Sequence, residues 1–162
     1  MTRLGIYVDL SNLYYCIGQR FENRKLSYAK YLEFVQGHLG ELTVARAYGA
    51  QIGTEAEVFI ARLQDLGFET HYKVPKQYES ADKFKRKADW DVGMAVNIIE
   101  DVLADKIDRV ILGSADGDMT PVVEWCTARG IVVIILACGI SKDLKLTARE
   151  YFEIPESLLE GH

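Results

Sequence analysis

The sequence predicts an α/β fold built on a largely parallel sheet of about five strands, with helices on both faces. Two observations carry this. Short apolar, branched runs alternate with stretches of helical period along the whole chain, so successive strands are joined by helical crossovers, which pack right-handedly on a sheet. The runs Leu4 to Val8 and Val110 to Leu112 are apolar without alternation, the pattern of strands buried on both faces. At 162 residues and 49% hydrophobic composition, the chain fits one domain, 1–162, with a sizeable core.

Each element has its own local reason. Leu4 to Val8 is the first strand and ends at Asp9; Ser11 or Asn12 is placed to cap the helix that carries Tyr14, Tyr15 and Ile17. Ser27 to Leu39 continues as helix, with Tyr31, Phe34, Val35 and Leu39 at helical spacing. Leu42 to Tyr48 is the second strand. Thr54 to Leu66 is an amphipathic helix closed by Gly67, and Phe68 to Val74 alternates like a third strand before Pro75. A long helix opens near Ala88 and runs to Leu103, burying Val92, Ala95, Val96, Ile99, Val102 and Leu103. Arg109 to Ser114 is the fourth strand, Thr120-Pro121 a helix cap and first turn, and Ile131 to Ala137 the fifth strand. Asp143 to Glu150 reads as a last helix, and Tyr151 to Ile154 as a short edge segment.

Composition excludes several classes of function. The net charge of −5 leaves no global basic field, so any nucleic-acid site is local. No apolar run is long enough to span a bilayer, and Met1-Thr2-Arg3 leads straight into strand rather than a secretory leader. Cys16, Cys126 and Cys138 form no close pair in sequence, which points to free thiols in a reducing cytoplasm. His38, His71 and His162 are too scattered for a zinc cluster. Nothing in the sequence indicates a homo-oligomer.

The chemistry lies in the carboxylates. Asp116 and Asp118 flank Gly117 just after the fourth strand, and Asp9 follows the first. Ligands of open parallel sheets bind at the carboxyl ends of strands. If strands one and four are neighbours, these acids share one crevice, and Asp91, in the first turn of the helix that precedes strand four, begins near the same edge. Close like charges repel unless a cation or a proton intervenes, and hard divalent cations prefer oxygen ligands. Each acid taken singly also has an ordinary structural role. Asp116-Gly117 makes a turn, Asp118 caps a helix, and Asp91 complements a helix dipole.

A second feature is local. Lys76 to Lys87 holds five basic residues and two acidic ones, with Tyr78 and Phe84 interleaved. A solvated surface loop accounts for such a run. A phosphate-binding path with stacking aromatics accounts for it equally well.

The stretches IYVDLSNLYY, KADWDVGMAVN and VILGSADGDMTPVVEWCTARGIVVIIL, with the trailing KDLKLTAREYFEI, resemble the NYN domain of the PIN-like nuclease superfamily over nearly the whole chain. The resemblance implies a three-layer α/β/α sandwich and metal-dependent RNA cleavage. It also implies that Asp9, Asp91, Asp116 and Asp118 are catalytic and hold Mg²⁺ or Mn²⁺. Asn12 matches the polar residue that follows the first acid. One departure is Asn97, where many relatives carry a second helix acid, and it bears on the metal count and on activity. Asn97 lies six residues beyond Asp91, about 600° of rotation, and so on a different helix face.

The expected reaction is phosphodiester hydrolysis, with RNA as partner, contacted by Ser11, Asn12, Ser114 and the basic residues Lys83, Lys85, Arg86 and Lys87. Two other readings have distinct signatures. A catalytically weak RNA- or metal-binding module would retain RNA without cutting it. A phosphatase resembling the haloacid dehalogenase class needs a second acid two residues after the first, where this chain has Ser11.

Overall fold

The computed structural model describes residues 1–50, 54–73 and 90–161. The order along the chain is β1 (Arg3–Asp9), α1 (Leu10–Arg20), α2 (Tyr28–His38), β2 (Glu41–Ala50), α3 (Thr54–Asp65) and β3 (Glu69–Lys73). The second half follows with α4 (Asp91–Leu103), β4 (Arg109–Gly113), α5 (Thr120–Ala128), β5 (Val132–Ala137), α6 (Lys142–Ala148) and β6 (Glu150–Glu153). Among the described residues the strands of the sheet pair in parallel, in the order β3-β2-β1-β4-β5-β6. The fold is a three-layer α/β/α sandwich. The expected edge segment at Tyr151 pairs with β5 as β6, which brings the sheet to six strands.

Burial explains which strands were conspicuous. The middles of β1, β4 and β5 are buried throughout, as continuous apolar runs require. The edge strands β3 and β6 stay partly exposed and carry polar residues. Alternation within the central strands assigns the two faces. Val110 and Leu112 meet Ile98 of α4 and Val122, Val123 and Cys126 of α5. On the other side, Tyr31 of α2 donates from its hydroxyl to the carbonyl of Leu136 at 2.9 Å. Gly113 ends β4 on this second side. A Cβ there would lie 2.6 Å from Val8 Cγ1 and 3.0 Å from the Tyr31 hydroxyl, so only glycine lets the two central strands close at this end.

Strand order reverses between β1 and β4: β2 and β3 build outward on one side, β5 and β6 on the other. The two strands are hydrogen-bonded neighbours, with Val8 opposite Gly113. This is the topological switch point, and the chain leaving each strand there opens into the crevice where such folds place ligands. Asp9 and the loop that carries Asp116 and Asp118 both emerge at that point.

Candidate metal centre

Three side chains converge at the switch point. Asp91, Asp116 and Asp118 each offer a carboxylate oxygen, and the three oxygens lie within 4.8 Å of one another. Asp91 comes from the first turn of α4, Asp116 and Asp118 from the loop after β4. Asp91 and Asp116 are half-buried and Asp118 is exposed, so the group opens to solvent on one side.

The local backbone fixes the two loop acids. Asp116 is extended and caps a 3-10 turn, Gly117–Met119, by accepting the Asp118 N–H at 2.9 Å. The turn runs directly into α5. Thr120 is therefore not the helix cap that the sequence suggested. The residue before α5 is Met119, which makes no side-chain cap, because the preceding turn already supplies the helix entry. Pro121 keeps its expected place in the first turn. Ser114 is fully buried, and its hydroxyl accepts the Asp116 N–H at 3.3 Å.

Asp9 stands at the end of the neighbouring strand, outside the group of three. Its carboxylate caps α1 by accepting the Asn12 N–H at 3.1 Å. The capping role expected of Ser11 or Asn12 thus belongs to Asp9. That releases the Asn12 side chain, whose Oδ1 accepts the Ala115 N–H at 3.0 Å. Asn12 so ties the start of α1 to the loop that bears Asp116. Ser11 is exposed on the first turn of α1. Lys83, Lys85, Arg86 and Lys87 lie outside the described residues, as does the rest of the 76–87 segment.

Cys16 registers the negative field. Its thiol is pushed above its ordinary value, first by burial and then by the charges of Asp9, Glu153 and Asp116. Cys138 donates weakly from its sulfur to the Cys16 carbonyl at 3.6 Å.

The structure also shows a buried network that the sequence reading did not single out. Asp101 of α4 is 2% exposed. Its carboxylate accepts the Tyr7 hydroxyl at 2.7 Å, Arg46 Nε at 2.9 Å and Arg46 Nη2 at 2.9 Å. Burial pushes this carboxyl up, but the hydrogen bonds from Arg46 and Tyr7 outweigh it and hold it below the ordinary range. Arg46 also pairs with Glu69 of β3. A signal was available in sequence: Arg46 interrupts the apolar strand LTVARAY, and a charge there needs a partner.

Comparison with known proteins places this geometry. The family model for the NYN domain matches residues 3–155. The chain belongs to the NYN family. With it comes membership of the PIN-like nuclease superfamily, in agreement with the sandwich and the acidic group at the switch point. A crystal structure of a protein of unknown function from Vibrio parahaemolyticus superposes with a TM-score of 0.83 at 28% identity. The match covers 98% of this NYN chain and 96% of that one. No curated protein matches it. No helix among the described residues is long and apolar enough to cross a membrane.

Proposed function

We propose that this NYN domain, spanning 1–162, is a metal-dependent ribonuclease that hydrolyses RNA phosphodiester bonds at its aspartate group. One observation carries the reading. Asp91, Asp116 and Asp118 bring carboxylate oxygens within 4.8 Å of one another at the sheet's switch point. An all-oxygen donor set suits Mg²⁺ or Mn²⁺, and carboxylates this close repel unless positive charge lies between them. Asp9 is assigned to the same site as a fourth acid from the adjoining strand. When bound, a hard divalent cation supplies Lewis acidity and neutralises charge on the phosphate.

The chain's own residues do the positioning. Asp116 holds Asp118 through its backbone N–H, Ser114 holds Asp116, and Asn12 holds the loop through Ala115. The acids are thus presented by a braced turn, as a preorganised site requires. Ser11 and Asn12 are assigned to the approach of the substrate, whereas Ser114, expected there from sequence, is fully buried and acts through Asp116. Lys83, Lys85, Arg86 and Lys87 are assigned to the RNA backbone on their charge. A reducing cytoplasm suits the three free cysteines.

The test is direct. Single-stranded RNA is incubated with the protein and Mn²⁺, Mg²⁺ or a chelator. Shortened RNA in either metal, abolished by chelation and by Asp116→Asn or Asp118→Asn, is the expected outcome. RNA that stays intact with both metals would sink the nuclease reading, and RNA retained but uncut would favour a binding module.

A further inference from the structure

A cavity of about 100 Å³ opens beside the second half of α1, lined by Tyr14, Tyr15, Gly18, Gln19, Asn23 and Arg24. Tyr14 and Tyr15 are 71% and 66% exposed, although the helix has a well-formed buried face in Leu10, Leu13 and Ile17. Three buried tyrosines differ in kind: Tyr7, Tyr31 and Tyr48 each spend their hydroxyl on an acceptor inside the fold.

The lining is chemically selective. In a chain of net charge −5 the cavity contains no carboxylate. Gln19 and Asn23 offer both amide donors and acceptors, and Arg24 adds a planar guanidinium paired with Glu156. That guanidinium is fixed from behind, by Glu156 at 2.6 Å and the Glu160 carbonyl at 3.0 Å. Asn23 is held in place by backbone geometry. The chain leaves α1 through Glu22 and Asn23, both at positive φ (51° and 66°), and the Asn23 N–H returns to the Gly18 carbonyl at 3.0 Å. Two successive non-glycine residues in that region cost conformational energy, and they lay the Asn23 side chain over Gly18.

Aromatic rings framed by amide groups and a planar guanidinium match a nucleobase. Such rings stack on bases of any sequence, and the amides meet the base edges. Placement agrees with this. The helix starts immediately after Asp9, and at 1.5 Å per residue Tyr14 and Tyr15 lie about 8 Å, and Gly18 about 14 Å, along α1 from that start. A strand with one phosphate at the acids would reach this cavity a few nucleotides away.

We propose that Tyr14, Tyr15 and the cavity behind them are a base-stacking subsite for single-stranded RNA, running along α1 away from the aspartate group. The assignment rests on the nuclease reading above and narrows it to unpaired RNA, since bases inside a duplex cannot splay onto the rings.

Binding of a labelled short oligouridylate and of a labelled RNA duplex is measured by fluorescence anisotropy on the full chain. The Asp118→Asn background prevents turnover. Adding Tyr14→Ala and Tyr15→Ala weakens single-strand binding by on the order of tenfold per stacked base. Duplex binding stays as it was, and Tyr14→Phe with Tyr15→Phe restores the single-strand affinity. Cleavage by the unmodified protein is followed in parallel. If that protein cuts RNA while the alanine pair binds single strands unchanged, the subsite is overturned and the nuclease reading stands. If nothing is cut but the alanine pair still loses single-strand affinity, the subsite stands as a binding site and the nuclease reading falls. Absence of any RNA binding overturns both.

Discussion

The phenol of Tyr48 donates to Oδ1 of Asn97 at 2.8 Å. Tyr48 is fully buried, pairs in register with Asp9, and stacks on His71 with ring centroids 4.8 Å apart. Asn97 therefore faces the sheet. It shares that face of α4 with Asp101, four residues on, which takes Tyr7 and Arg46 in the same way. The face carrying Asn97 satisfies buried donors, while Asp91, at the start of the same helix, joins the acids.

Asn97→Ala removes the acceptor and leaves a buried hydroxyl unpaired, at a cost of about 1–3 kcal/mol in urea unfolding. Asn97→Asp keeps an acceptor for Tyr48, so its stability stays closer to that of the unmodified protein. Equal losses in both variants would show that the Tyr48 bond is not what Asn97 contributes.

Much of this was legible in sequence, for identifiable reasons. Continuous apolar runs announced β1 and β4, and acids at their ends announced the crevice once those strands proved adjacent. Asn97 was separable from Asp91 by helical rotation alone. What it bonds to was not, because Tyr48 is 49 residues away in sequence. The caps misled for a local reason. Ser11, Asn12 and Thr120 are all competent cap residues, but acids a few residues earlier in the chain, Asp9 and Asp116, already take the first N–H groups of the turns that follow them.

The Asp101 network predicts an acid limb in stability. Folding lowers the carboxyl of Asp101 below its ordinary value of 3.8, and that of Asp108, paired with Arg3, to about 2. A depressed carboxyl stabilises the fold above the unfolded value and loses that contribution as pH falls through the folded one. Stability should hold steady above about pH 4 on account of these groups and decline toward pH 2. Asp101→Ala should cost about 3 kcal/mol at neutral pH, because Arg46 keeps a half-buried charge with a poorer partner. It should also make the acid decline shallower. Chemical denaturation at pH 7, 4 and 3 measures both effects, and a variant with the unmodified slope would remove Asp101 from the acid limb.

The basic segment predicts a salt effect. If Lys83, Lys85 and Arg86 neutralise phosphates, replacing all three by Ala flattens the logarithmic salt dependence of single-stranded RNA binding by roughly 2, at about 0.7 per contact. Thermal melts of the same variant separate a loss of binding from a loss of folding. Titrations at several salt concentrations read the slope directly. An unchanged slope would take the segment off the RNA path.

The aspartate group itself makes the sharpest prediction, because charge repulsion and metal binding pull in opposite directions. Without metal, three carboxylate oxygens within 4.8 Å repel one another. Asp116→Asn removes one charge yet keeps an oxygen that can cap the Asp118 N–H. The metal-free variant should therefore melt at or slightly above the temperature of the unmodified protein. With metal the order reverses. A cation at one hundred times its dissociation constant stabilises the folded state by about 2.7 kcal/mol, or roughly 5–11 °C for a chain of this size. The unmodified protein should show that rise with Mn²⁺, and Asp116→Asn should lose most of it. Asp105→Asn, which alters an exposed carboxylate paired with Arg3, is the control and should keep the full rise. A melting temperature that climbs equally with Mn²⁺ in the unmodified protein and in Asp116→Asn would put the ion elsewhere.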